Sequence, residues 1–139
     1  MSLRDICSGP SSFSPTFCAS HPSDAAECDL GRAFVVHGMD GLDEITITDK
    51  TKVSEFKDGK VRDFFLHPSD FGFSIAKPDV LKGGDARDNA AISLDILNGK
   101  KGPCREIVLM NSAVALAASG RAADPKAGIA IAAESIDSG

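Results

Sequence analysis

The feature that most limits the fold is residues 107–119, IVLMNSAVALAAS, which are apolar on nearly every side when placed on a helix. Pro103 falls in the first turn of this helix, where its missing N–H costs nothing, and Gly120 follows the end. A helix without a polar face must be covered on most sides. In one domain of 139 residues, this predicts a helix at the centre or at a subunit interface. The segment is far shorter than the roughly 20 apolar residues of a membrane span.

Two further helices are predicted on either side of this one. Asp85 can cap a helix that runs to about Asn98, and Gly99 supplies a left-handed stop. Its predicted apolar stripe consists of Ile92, Ile96 and Leu97. The last helix begins at Asp124-Pro125 and covers AGIAIAAESID.

The segment before the helices has the pattern of strands. RAFVVHG, residues 32–38, is a short apolar run bounded by glycines, typical of a strand buried on both faces. EITIT, KVSEF and KVRDFFL follow, and Asp58-Gly59 between the last two accepts the positive φ angles of a type I′ turn. Pro68 ends the last strand. We therefore predict an α/β fold: a small mixed sheet with a β-hairpin and three or more packing helices.

Three acids follow the lead strand closely: Asp40, Asp43 and Glu44. The loop at the C-terminal end of a buried strand is where open α/β sheets bind ligands. Magnesium in phosphate-handling sites is held by only one or two carboxylates, so Asp43 and Glu44 would suffice. Gly38 and Gly41 allow the bend that brings both side chains to one ion. An acidic turn that is merely solvated explains the same residues, and the pattern leaves both interpretations open.

KGGDARDN, residues 82–89, is a second candidate site, because glycines before a helix can expose N–H groups to phosphate. It lacks the spacing of the known phosphate loops, and Asp85 would repel an anion, which favours a glycine turn followed by a helix cap. His37 fits a hydrogen-bonded structural role better than a catalytic base. His67 is expected to be exposed at a strand end, and His21 to be solvated.

Charge and cysteine content limit the partners and the compartment. The net charge of −5, without a run of Lys or Arg, argues against a nucleic acid or an anionic membrane as partner. The four cysteines show no zinc-ligand spacing, and no signal peptide is recognisable, so we predict a cytoplasmic protein with reduced thiols. Residues 1–29, rich in Ser and Pro, are predicted to be a poorly ordered leader outside the domain of residues 30–139.

Four motifs in order resemble one family. VVHGMDGLDEITIT, FFLHPSDFGF, LKGGDARDNAAISLDILNGKKGPCREIVLMNSAVAL and GIAIAAESIDSG are similar to the C-terminal part of anthranilate phosphoribosyltransferases, from about Leu30 to Gly139. The resemblance implies the catalytic α/β domain of a nucleoside phosphorylase/phosphoribosyltransferase type. Such enzymes transfer phosphoribosyl from phosphoribosyl pyrophosphate to anthranilate in tryptophan biosynthesis, commonly as dimers. It also implies that the Asp-Glu pair of the family's GxDE motif, here Asp43 and Glu44, binds Mg²⁺ beside the diphosphate.

The departures from the family imply a fragment. The family's GTGGD diphosphate loop, its KHGN segment, its anthranilate-contacting arginine and its helical domain have no counterpart in the sequence. We therefore expect no catalysis by the chain alone and weak or absent Mg²⁺ binding. Phosphoribosyl pyrophosphate and anthranilate would bind only in a complete enzyme. The bare apolar surface predicts a homo-oligomer, or a chain that pairs with a missing N-terminal half.

Two functional hypotheses from different classes follow. The chain is either part of a phosphoribosyltransferase, or a non-catalytic interaction module that forms oligomers or joins a separately encoded N-terminal half. A pyrimidine nucleoside phosphorylase, which shares the architecture, is a weaker third candidate. GLDEI and ESIDSG favour the anthranilate enzyme over it.

Overall fold

The computed structural model describes residues 31–139, so the predicted leader lies outside the described part. Three strands come first, followed by two short 3-10 turns at Pro68–Phe71 and Pro78–Leu81, and then three helices. The strands are β1 (Arg32–Gly38), β2 (Thr51–Lys57) and β3 (Lys60–Leu66); the helices are α1 (Ala86–Leu97), α2 (Pro103–Ala118) and α3 (Pro125–Asp137). Among the helices of residues 31–139, none combines the length and the apolar character that a membrane span requires.

The sheet has the order β1-β2-β3 and is antiparallel throughout the described part. Arg32 lies opposite Lys57, and Gly38 opposite Thr51. The hairpin turns on Asp58 and Gly59, whose φ angles of 51° and 74° match the predicted type I′ turn. The predicted fold class is confirmed as an α/β unit with a small sheet, a β-hairpin and three packing helices, although the sheet of the described residues is antiparallel and not mixed. The lead strand is buried at Ala33 and Phe34, but His37 is exposed, so burial on both faces holds only for its first half.

The prediction of a strand at EITIT, residues 44–48, is wrong. Ile45, Thr46 and Ile47 are at most 1 % exposed, yet they lie in irregular backbone. Their backbone groups form no strand ladder. The Ile45 N–H donates to the Asn111 side chain, and the Thr46 N–H donates to the Thr51 hydroxyl. The Ile47 carbonyl oxygen accepts from the Ala76 N–H. The alternating pattern therefore reports burial of the two isoleucines and not a ladder.

Helix α2 packs into the core on one side. Leu109, Met110, Ala113, Val114 and Ala117 are at most 2 % exposed. The core also includes residues from β1, the 39–50 loop and β2: Phe34, Ile45, Ile47 and Val53. The opposite side of α2 is less covered, and Val108 is 38 % exposed. The helix is therefore buried on one side only, whereas the sequence predicted that it would be covered on most sides.

Helices α2 and α3 form a closely packed antiparallel pair. A Cβ added at Gly128 of α3 would come within 2.6 Å of the Ala113 carbonyl oxygen. At the far end of the pair, Arg105 donates to Asp137 at 2.8 Å, and Lys101 lies 3.2 Å from the same carboxylate. The predicted starts of both helices are confirmed, and Asp124 accepts a hydrogen bond from the Ala127 N–H; α2 ends at Ala118, two residues before the predicted Gly120.

Candidate metal site at the end of the lead strand

The loop of residues 39–50 begins with a tight turn directly after β1. The Gly38 N–H donates to the Leu42 carbonyl oxygen at 2.8 Å, and the Gly41 N–H donates to the Gly38 carbonyl oxygen at 2.9 Å. Gly41 has a φ of 100°, which an L residue rarely adopts. The two glycines therefore reverse the chain and bring Asp43 and Glu44 to the loop surface.

Asp40 is the centre of hydrogen bonding in this loop. Its carboxylate accepts from the Leu42 N–H at 3.2 Å, from the Thr46 hydroxyl at 2.5 Å and from the Thr48 hydroxyl. Burial pushes the pKa of Asp40 upward, but the hydrogen bonds from Thr46, Thr48 and Leu42 outweigh it and hold the pKa below its ordinary value of 3.8. The Asp40 carboxylate is thus already occupied by hydrogen bonds within the loop, which makes Asp40 the least suitable of the three acids as a metal ligand.

Asn111 of α2 fixes the other end of the acidic segment. Its side-chain oxygen accepts from the Ile45 N–H at 3.0 Å, and its amide donates to the Ile45 carbonyl oxygen at 2.8 Å. The same amide also donates to the Ile107 carbonyl oxygen at 3.0 Å. The residue after Glu44 is therefore attached to the central helix. The sequence analysis assigned Asn111 no role; the available signal was a polar residue inside an apolar run.

Asp43 and Glu44 are both exposed, and neither carboxylate has a hydrogen-bond or ion-pair partner among residues 31–139. Partial burial raises the pKa of Glu44, and the negative charges of Asp43 and Asp40 raise it further. These carboxylates repel one another, and a cation placed between them would relieve that repulsion.

The donor set fits a metal held jointly with a ligand. In the described part of the chain, no group of three or more His, Cys, Asp or Glu side chains is arranged to hold a metal by itself. Two carboxylates match a magnesium ion whose other ligands are phosphate oxygens and water. The arrangement is therefore compatible with a phosphate-linked Mg²⁺ and unsuited to a self-contained structural metal site.

The second candidate segment lies across a cleft from the acidic loop. Glu44, Gly83, Asn89 and Ser93 all line this cleft of about 310 Å³, whose walls are otherwise mainly apolar. Asp43 is not among its lining residues. The structure thus brings Glu44 and part of KGGDARDN together.

The start of α1 is already occupied by its own side chains. Asp85 accepts from the N–H groups of Arg87 and Asp88, at 2.8 and 3.0 Å. The Gly84 N–H donates to the Asn89 side chain at 3.0 Å. This confirms the glycine turn and helix cap, and it leaves little for a phosphate to bind at this helix end. Of the three residues in the predicted apolar stripe of α1, Ile92 and Ile96 line the cleft. Leu97 is 64 % exposed and does not line it, so the prediction was wrong for this residue.

The histidines show no catalytic arrangement in the described residues. His37 is exposed on β1, and its side chain makes no hydrogen bond to residues 31–139, so the expected structural role stays a prediction. His67 is exposed before the 3-10 turn, as predicted, and its backbone N–H donates to the Asp70 carboxylate at 2.7 Å. His21 lies outside the described residues. Cys104 is a free thiol, as expected; the other cysteines precede residue 31.

The three strands, the three helices and the carboxylate pair after β1 form a small α/β unit, and solved phosphoribosyltransferases share this fold. The family profile described as "Glycosyl transferase family, a/b domain" matches residues 11–139. The chain belongs to this family.

Curated relatives and solved structures agree with the resemblance read from the motifs. The anthranilate phosphoribosyltransferase of Trichlorobacter lovleyi is 54 % identical over 108 residues, which are 78 % of this chain and 31 % of the relative. The Thermus thermophilus enzyme has a TM-score of 0.74 at 30 % identity, covering 84 % of this chain and 34 % of that one. The Saccharomyces cerevisiae enzyme in complex with PRPP and Mg has a TM-score of 0.72 at 32 % identity. This match also covers 84 % of this chain and 34 % of that one. The chain spans about a third of the length of these relatives.

Proposed function

We propose that the chain is the C-terminal part of the catalytic domain of an anthranilate phosphoribosyltransferase of tryptophan biosynthesis, with Asp43 and Glu44 as its magnesium ligands. The observation that carries the proposal is a pair of exposed, unpartnered carboxylates at the end of β1 within the described residues. It occurs in a chain about half identical to such enzymes, and one solved relative is a complex with PRPP and Mg. The cytoplasmic location stays a prediction from the sequence.

The residues of this chain would position the ion. Asp40 shapes the turn before Asp43, and Asn111 holds the backbone just after Glu44, so the two carboxylates project from a loop fixed on both sides. A bound divalent cation there would stabilise the negative charge that builds on the departing pyrophosphate. Glu44, whose pKa is raised, would ionise more readily when a cation is present.

We expect no phosphoribosyl transfer by the chain alone. The sequence contains no GTGGD loop, and the chain spans about a third of its relatives' length. Much of the acceleration of a two-substrate reaction comes from holding both reactants in place, which one half-site cannot do. A metal site that lacks the diphosphate should also bind Mg²⁺ weakly.

Complementation tests this proposal directly. The chain is mixed with the N-terminal part of the Trichlorobacter lovleyi enzyme that precedes the matched region, and anthranilate consumption is followed with phosphoribosyl pyrophosphate and Mg²⁺. We expect turnover only in the mixture, and a loss of at least about 100-fold on Asp43→Ala or Glu44→Ala. The matched control is Asp58→Asn, at the opposite end of β2 from the acidic loop. Equal activity of all four mixtures would refute the metal assignment.

A binding measurement separates the metal site from catalysis. In the same mixture, Mn²⁺ bound in the presence of inorganic pyrophosphate is measured by electron paramagnetic resonance. Asp43→Ala and Glu44→Ala should weaken Mn²⁺ binding, and Asp58→Asn should not. Turnover by the isolated chain, in proportion to its concentration, would contradict the expected need for an N-terminal part.

The non-catalytic alternative is favoured by one observation. An open groove along α2 and α3, the α2–α3 groove, has Val108, Leu116 and Ile131 among its apolar lining residues and contains no residue of the 39–50 loop, so it offers a separate interaction surface. This surface does not exclude the catalytic proposal, since one chain can present both features.

A further inference from the structure

The peptide group that follows Glu44 is held by one side chain of α2. The Ile45 N–H, which belongs to the peptide bond between Glu44 and Ile45, donates to the Asn111 side-chain oxygen at 3.0 Å. The Asn111 amide donates in return to the Ile45 carbonyl oxygen at 2.8 Å. These paired bonds are the kind that a neighbouring antiparallel strand would supply, and Ile45 is only 1 % exposed. The ψ angle of Glu44 is therefore fixed by α2 and not by the loop itself.

The same side chain connects this peptide group to the wall of the cleft beside Glu44. The Asn111 amide also donates to the Ile107 carbonyl oxygen at 3.0 Å. Ile107 and Glu44 both line the cleft of about 310 Å³, whereas Asp43 does not. Asn111 therefore attaches the backbone of Glu44 to the part of α2 that forms the cleft.

Asp43 has a different backbone support. Leu42, which precedes it, donates its N–H to the Asp40 carboxylate at 3.2 Å and accepts from the Gly38 N–H at 2.8 Å, and none of these groups belongs to α2. Within residues 31–139, no hydrogen bond or ion pair holds the carboxylate of Asp43 or Glu44. The direction of each carboxylate therefore depends on its own backbone support: the tight turn for Asp43, and α2 for Glu44.

We propose that Asn111 is a positioning residue for the metal site, which sets the metal affinity through Glu44 and leaves the contribution of Asp43 unchanged. The inference rests on the proposed role of these two carboxylates as magnesium ligands. A ligand on a mobile backbone loses conformational freedom when it binds an ion, and this loss weakens binding. Asn111 removes that cost for Glu44, because the peptide group after it is fixed before the cation arrives.

Mn²⁺ binding in the complementation mixture, with inorganic pyrophosphate present, tests the proposal by electron paramagnetic resonance. Asn111→Ala should weaken Mn²⁺ binding about tenfold, the low end for residues that orient metal ligands. Asn111→Ser should have a similar effect. Its hydroxyl can still donate to the Ile107 carbonyl oxygen four residues earlier, but it is too short to hold both backbone groups of Ile45. The serine variant therefore removes the support of the loop and keeps the bond within α2.

Double variants show through which carboxylate Asn111 acts. In a Glu44→Gln chain, adding Asn111→Ser should change the Mn²⁺ affinity less than about twofold, because the ligand that Asn111 positions is gone. In an Asp43→Asn chain, the same change should keep its effect of about tenfold. Equal effects in the two chains would overturn the proposal, since they would indicate a general change of the loop.

A variant that is destabilised elsewhere separates positioning from stability. Phe56 packs with Ala33 in a small cluster outside the core that contains Ile45. Phe56→Ala should therefore lower the melting temperature and leave the Mn²⁺ affinity unchanged. Circular dichroism at low temperature establishes that each variant is folded. If Phe56→Ala weakened Mn²⁺ binding as much as Asn111→Ser, the effect of Asn111 would be one of stability alone.

The remaining outcomes distinguish this inference from the metal assignment. If Asp43→Ala and Glu44→Ala leave Mn²⁺ binding unchanged, the metal assignment fails, and the positioning role fails with it. If they weaken binding and Asn111→Ser does not, only the positioning role fails. If neither Asn111 variant folds, Asn111 serves the fold alone and the proposal is wrong.

Discussion

At the level of single residues, Asp40 and Asn111 hold the 39–50 loop from two sides. Asp40 joins the turn after β1 to the two threonine hydroxyls, and Asn111 joins Ile45 to the central helix. The acids themselves were predictable from the sequence, because carboxylates after glycines at a strand end are a local pattern. The role of Asn111 was not, since its contact with Ile45 spans 66 positions and nothing local indicates it.

Asp40→Asn should destabilise the fold by about 1 kcal/mol at pH 7, below the usual range for charged hydrogen bonds, because Asp40 is exposed and solvent screens its charge. The folded-state pKa of Asp40 is depressed, so its stabilisation is fully present well above the ordinary pKa of 3.8. It is lost as the pH falls through the lower folded-state pKa. Urea unfolding between pH 7 and pH 3 should show the two proteins converging at low pH. A constant difference would contradict the assignment, and Asp58→Asn is the control.

Asn111→Ala should cost about 2–4 kcal/mol, because it leaves the N–H and C=O of buried Ile45 without partners. Asn111→Asp keeps the acceptor for the N–H but loses both donated bonds, so it should fall between the alanine variant and wild type. Hydrogen exchange followed by mass spectrometry should show faster exchange in the 39–50 loop. The neighbouring change Ser112→Ala leaves the Asn111–Ile45 hydrogen bonds intact and should leave that exchange unaltered.

At the level of elements, the helices were predicted well because their signals are local. Asp85, Asp124 and Pro103 mark starts, and Gly99 and Gly120, both with positive φ, mark ends. The EITIT segment was misassigned because alternation reports only which side chains are buried. Whether a buried extended segment pairs with a strand depends on what lies beside it. Here side chains from α2 and β2 lie beside it.

Gly128→Ala tests the packing of α2 against α3. In an exposed helix this substitution would stabilise by up to about 1 kcal/mol. Here the new Cβ would meet backbone atoms of Ala113 at 2.6 and 2.8 Å, which cannot move without shifting α2. We therefore expect a net loss of about 1–3 kcal/mol. Gly31→Ala, with nothing within 4 Å of the added Cβ, is the matched control for thermal melts. Equal melting of the Gly128 variant and wild type would show that the helices separate easily.

At the level of the whole molecule, the sequence identifies the family but not the uncovered surfaces. The motifs are local strings, and they were sufficient for the resemblance that the relatives confirm. The α2–α3 groove depends on which side of α2 faces the core, and that follows from contacts with β1, the 39–50 loop and α3. When the sequence of a helix is apolar nearly all round, its pattern does not indicate which side packs on the core and which side stays uncovered.

If the chain forms the predicted homo-oligomer through the α2–α3 groove, the melting temperature should depend on protein concentration. Unfolding of a dimer releases two chains, so a higher total concentration favours the folded dimer by mass action. Differential scanning calorimetry over a hundredfold range of concentration should show a rising melting temperature for wild type. Ile131→Glu should have a lower melting temperature that does not change with concentration. Ile75→Glu replaces an isoleucine that is 65 % exposed and outside the groove, so it should keep the dependence. A concentration dependence that Ile131→Glu retains would place the interface on another surface of the molecule.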